Sequence, residues 1–102
     1  MKSKFYFSPL ANTDFNNIIK YLIENTSIHY AQKVKNQFYK KIQDACKEPE
    51  LYQLSNINKL RKQGIRIIPV EGYLIFYRVH NNEIEIARIR SDKQDNRKLK
   101  IQ

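Results

Sequence analysis

The 102-residue sequence predicts an α+β domain of order β-α-α-β-β-β, with a helical hairpin packed on one face of a small, mainly antiparallel sheet. Three observations predict it. Apolar residues recur at helical spacing through two stretches between residues 10 and 45. Three strand-like runs fill residues 64–90, separated by turn-forming residues. A short aromatic run, KFYFS at residues 4–8, stands ahead of the first helical stretch.

That aromatic run reads as the first strand, and Ser8-Pro9 ends it. A hydroxyl that can cap, followed by a proline tolerated in the first turn, starts a helix. From Leu10 to about Asn25 the stripe Ala11, Phe15, Ile18, Ile19, Leu22, Ile23 faces inward, with Asp14, Asn17, Lys20 and Glu24 opposite. Asn25-Thr26-Ser27 interrupts it with cap-forming residues. A second stripe runs through Ala31, Val34, Phe38, Ile42 and Ala45 until Pro49 forbids more helix. Each stripe is narrow, so the pair needs a sheet to lie on. A connector, ELYQLSNINKLR (50–61), leads to the runs GIRIIPV (64–70), YLIFYRV (73–79) and EIEIARIR (83–90). Glu71-Gly72 and His80-Asn81-Asn82 make the turns, the asparagines tolerating positive φ. YLIFYRV is apolar on both parities, as a central strand requires, and Pro69 places the preceding run at an edge or a bulge. The domain is expected to span residues 1–91, with 92–102 a polar, basic tail, either a short helix or a frayed end.

Nineteen Lys and Arg against ten Asp and Glu give a net charge of +9, which favours an anionic partner. All six arginines lie after residue 60. Guanidinium forks bind phosphate or carboxylate in a paired geometry that lysine cannot match, so the second half is expected to carry the working surface. The single Cys46 excludes an internal disulfide and a thiol-based zinc cluster, and reads as an inert helical thiol in a reducing compartment. His80 falls in a turn and His29 near a helix start, neither beside a second ligand type, so no metal or cofactor is indicated. With no apolar run of about 18 residues and no signal-like N-terminus, a cytoplasmic location is expected.

The last strand poses a puzzle. In EIEIARIR, strict alternation puts Arg88 and Arg90 on the same face as Ile84 and Ile86. Three explanations stand open. The hairpin can stop short and leave Arg88 lining an open groove, Arg88 can pair with a carboxylate or helix end inside the domain, or a bulge at Ala87 can restore alternation. Arg66, of the same parity as Ile68 and Val70, is either an edge partner of Glu71 or Glu85 or a second charge beside Arg88. Lys59, Arg61 and Lys62 form a basic patch in the connector. Tyr73 and Tyr77 fit the core beneath the hairpin better than a base-stacking role.

Taken together, Ser8-Pro9, the two helices, R-x6-Y-x-I-x-Y (Arg66, Tyr73, Ile75, Tyr77) and I-x-R-I (Ile86, Arg88, Ile89) make a chain that resembles the ParE/RelE superfamily of bacterial toxins from type II toxin–antitoxin systems. The likeness runs over about residues 4–95 and is nearest to ParE. It implies a toxin silenced by a cognate acidic antitoxin in a hetero-oligomer. ParE-like toxins trap DNA gyrase in its cleavage complex without chemistry of their own. Arg66, Arg78, Arg88, Arg90 and Lys93 are the residues expected to bind target and antitoxin, with solvated strand ends the alternative for Arg78 and Arg90. The alternative is a RelE-like, metal-independent endoribonuclease that cuts mRNA on the ribosome, with Arg66, Arg88 and Lys62 as catalytic candidates. RelE-like toxins place an arginine in a G-Y-R-L-V-Y strand. Here Gly72-Tyr73-Leu74-Ile75-Phe76-Tyr77 has leucine there, and residues 91–102 hold no histidine or tyrosine. The chain also departs from ParE, with Ser91 where a histidine is frequent and Asp92-Lys93-Gln94 in place of a mostly basic cluster. A third reading, a basic nucleic-acid-binding module, rests on charge alone.

Overall fold

The computed structural model describes residues 4–101, so residues 1–3 and 102, at the ends of the expected domain and tail, lie outside the described residues. The elements follow the expected order: β1 (Phe5–Phe7), α1 (Pro9–Asn25), α2 (Ile28–Lys47), a one-turn α3 (Asn58–Arg61), β2 (Arg66–Val70), β3 (Tyr73–His80) and β4 (Glu83–Ser91).

Both long helices begin where the capping chemistry allows. The Ser8 hydroxyl accepts from the Ala11 amide and Pro9 opens α1, while the Ser27 hydroxyl accepts from the Tyr30 amide at the head of α2. Their inward stripes meet the sheet in one core built around Phe15, Phe38, Ile42, Ile75, Tyr77 and Ile86. The strands lie in the order β1-β4-β3-β2, antiparallel except that β1 runs parallel to β4. β3 is therefore central, and Ile75, Phe76 and Tyr77 are all buried, which explains its apolar residues on both parities. β2 is an edge strand, as Pro69 requires. Positive φ at Glu71 and Gly72, and again at Asn81 and Asn82, closes both hairpins with the backbone twist that adjoining strands favour.

The second face of the sheet is covered too. Leu60, Ile65, Phe76, Ala87 and Leu99 form a second cluster, joined by Ile57 and Ile101. The connector and the C-terminal residues supply this layer. Leu99 is only 3% exposed, so the tail's end packs on the sheet; it forms neither the short helix nor the frayed end expected from its polarity.

Tyr77 sets a stability limit at high pH. Its side chain is fully buried and its hydroxyl donates to the Pro49 carbonyl at 2.8 Å. Burial pushes that hydroxyl up to about 12. A raised folded-state pKa means that the folded chain holds the proton more tightly than the unfolded chain. The stabilisation is therefore complete below the ordinary tyrosine value of about 10 and is lost as pH rises through about 12, by about 2–3 kcal/mol. Denaturant midpoints should fall across that window, and Tyr77→Phe should flatten the fall.

Candidate functional site

The break in alternation on β4 locates the site. Tyr77 pairs with Ile86 but Phe76 pairs with Arg88, so Ala87 is an extra residue and the strand bulges there. Two bonds from Ser8 hold the bulge: its amide donates to the Ile86 carbonyl at 2.9 Å and its hydroxyl to the Ala87 carbonyl at 2.8 Å. After the bulge Ile89 returns to the hairpin core, and Ala87 joins the second cluster. Alternation is restored.

β1 ends at Phe7, so β4 beyond Ile86 has no strand on that side. α1 closes the gap with Asp14. Its carboxylate accepts from Arg88 Nε at 2.7 Å and Nη2 at 3.1 Å, and from the Ile89 amide at 3.0 Å. Arg88 Nη1 donates to the Lys100 carbonyl of the tail at 3.1 Å. One guanidinium thus ties α1, β4 and the tail together, which fits its preference for paired, planar bonding. Of the three explanations, the short lid is the one that fails. The hairpin covers Ile89, which is 1% exposed, and Arg88 is anchored to an internal acid.

Arg88 still reaches solvent. Its side chain is 16% exposed and that of Asp14 15%. Both line a cavity of about 590 Å³ between α1 and the end of β4, walled by Asn17, Tyr21, Tyr73 and Arg90. Tyr21 is 58% exposed. The Tyr73 hydroxyl is pushed up from its ordinary value by burial first and then by Tyr21 and Tyr30. Arg90 Nε donates to Gln94 Oε1, which also accepts from the Ser91 amide. The groove therefore holds two guanidiniums against one carboxylate, with hydroxyls and amides around them.

The other expected residues fall elsewhere. Lys93 is exposed, beside Gln94 at the groove's rim. Arg66 does not pair with Glu71 or Glu85 and does not stand beside Arg88; its Nη1 donates to the Tyr52 carbonyl at 2.8 Å. Arg78 takes Glu85 instead, at 2.7 Å and largely shielded from solvent. Lys62 ends α3 and is exposed. Lys62, Arg66 and Arg88 share no bonding partner, and β3 separates the strands of the last two. Each of the six arginines is hydrogen-bonded within the chain: Arg61 to the Ser55 carbonyl and Arg97 to Asp95 complete the set. Among the described residues, lysine contributes one ion pair, Lys33 with Glu71 at 4.0 Å.

Asp14, Asn17, Tyr21 and Gln94 were not among the expected site residues. The first three recur at i, i+3 and i+7 along α1, a spacing that puts them on one helix face. Among the described residues, no three His, Cys, Asp or Glu side chains come together as metal ligands would.

Comparison with known proteins agrees with this architecture. The model of the family described as "ParE toxin of type II toxin-antitoxin system, parDE" matches residues 5–96. A solved structure described as the chromosomal ParDE toxin–antitoxin system from P. aeruginosa superposes with a TM-score of 0.70 at 17% identity, covering 88% of this chain and 96% of that one. No curated protein matches the sequence.

Proposed function

The chain belongs to the ParE toxin family of type II toxin–antitoxin systems, and from that premise we propose that it inhibits DNA gyrase in the cytoplasm and is neutralised by a cognate acidic antitoxin. The family match across residues 5–96 carries the reading. The groove between α1 and β4 supports a binding mode: it is open, polar and guanidinium-bearing, and it lies between a helix and a strand. A toxin that works by trapping an enzyme needs a complementary surface and no acid–base pair of its own. The ribosome-dependent nuclease reading has less support, because Leu74 occupies the place of the strand arginine, Arg66 and Arg88 have separate partners on strands that β3 keeps apart, and Lys62 is exposed.

Induced expression should arrest growth, and co-expression of the antitoxin should restore it. In the same preparation, purified protein should suppress ATP-dependent supercoiling of relaxed plasmid by gyrase. Undisturbed supercoiling at a large molar excess of toxin would remove gyrase as the target while leaving the family assignment in place.

A further inference from the structure

We propose that the α1–β4 groove seats an acidic side chain from a partner protein, and that Asp14 is a built-in competitor for that seat. Three donors converge on the Asp14 carboxylate: Arg88 Nε, Arg88 Nη2 and the Ile89 amide, at 2.7, 3.1 and 3.0 Å. This is a carboxylate receptor, with a bidentate guanidinium fork plus a backbone amide, and its occupant belongs to the chain itself. The seat is at the wall of an open groove of about 590 Å³, and both members of the pair are partly exposed. A second guanidinium, Arg90, faces the same groove, and among the described residues its partner is the neutral Gln94. The groove thus carries one more positive than negative side chain, and an incoming carboxylate has Arg90 to meet first and Arg88 to take over when Asp14 yields. The occupant already in place is a carboxylate, held by the fork and the amide together, so a carboxylate is the replacement that keeps all three bonds unchanged. The inference goes beyond the gyrase reading and does not depend on it.

Removing the competitor's charge should tighten binding of an outside acid. The probe is N-acetylated, C-amidated triglutamate, titrated into the full chain with the arginine Nε–H and Ile89 amide signals followed by NMR; triglutamine is the neutral control. Triglutamate should shift the Arg90, Arg88 and Ile89 signals saturably in the wild type, and about tenfold tighter in Asp14→Asn, which retains an acceptor but loses the charge. Equal or weaker binding in Asp14→Asn overturns the proposal, as does tighter binding of inorganic phosphate than of triglutamate, which assigns the groove to a nucleic-acid backbone. If Asp14→Asn does not fold, Arg90→Gln decides: it must weaken wild-type binding of triglutamate several-fold, and an unchanged affinity overturns the proposal. Growth arrest without any saturable shift would keep the toxin reading and end this one.

Discussion

Ile86→Asp is expected to leave the chain without a folded state at 25 °C. Ile86 is fully buried, on a strand paired on both sides, in the core that the hairpin shares with the sheet. The substitution removes an apolar side chain worth about 1.5–3 kcal/mol of burial. It also places a carboxylate where no cation among the core residues can reach it. Burying an unpaired charge costs several kcal/mol even after its pKa shifts. A domain this small has about 5–15 kcal/mol of total stability, so the two effects together consume most or all of it. Phe38→Asp, on α2 and equally buried, should behave alike. Amide-proton dispersion and a cooperative thermal transition should both disappear. A transition within a few degrees of the wild type would show that the core is not where the structure places it.

Arg88→Ala should weaken the fold without abolishing it, and should relieve growth arrest. The guanidinium makes two bonds to Asp14 and one to the Lys100 carbonyl. Its loss leaves Asp14 with the Ile89 amide alone and releases the tail from its polar anchor, while Leu99 still packs in the second cluster. Breaking a fully buried pair costs about 3–5 kcal/mol, and exposed pairs contribute about 0–1 kcal/mol. With both side chains about one-sixth exposed, a loss of about 2–3 kcal/mol is expected. The Asp14→Ala/Arg88→Ala double variant should be more stable than the sum of the single losses predicts, by about 1–2 kcal/mol, because each single change strands a partner. Denaturant melts of the four proteins read this directly. Additive losses would mean that the pair is geometrically close but energetically idle.

The parts of the fold legible in the sequence are those governed by local chemistry. Ser8-Pro9 and Ser27 state where helices begin, Pro49 where one cannot continue, and Asn81-Asn82 where a chain reverses. The two stripes and the doubly apolar β3 then leave few ways to assemble the layers. The one-turn α3 was not legible, since four residues are too few to display a period. The second apolar layer was hidden for a similar reason: Leu99 and Ile101 are single apolar residues in a lysine-rich stretch, and only the fold brings them to Phe76 and Ala87.

The site was legible in half. The broken alternation on β4 pointed to Arg88, and the bulge and the internal acid, each a possible resolution, both occur. The lid too short to cover β4 does not. The partner Asp14 looked like one polar residue on a solvated helix face, because its bond to Arg88 spans 74 positions of sequence. The hydroxyl that fixes the bulge acts across 79. Arg66 and Arg78 show the limit of reasoning from residue type: nothing in the type foretells that the first guanidinium bonds the Tyr52 carbonyl and the second Glu85.

The most direct test of the functional account offers the purified protein both targets side by side: gyrase with supercoiled DNA and ATP, and ribosomes programmed with mRNA. Cleaved DNA should accumulate, covalently attached to gyrase, while the mRNA stays intact. Cut mRNA with gyrase turning over normally would contradict it.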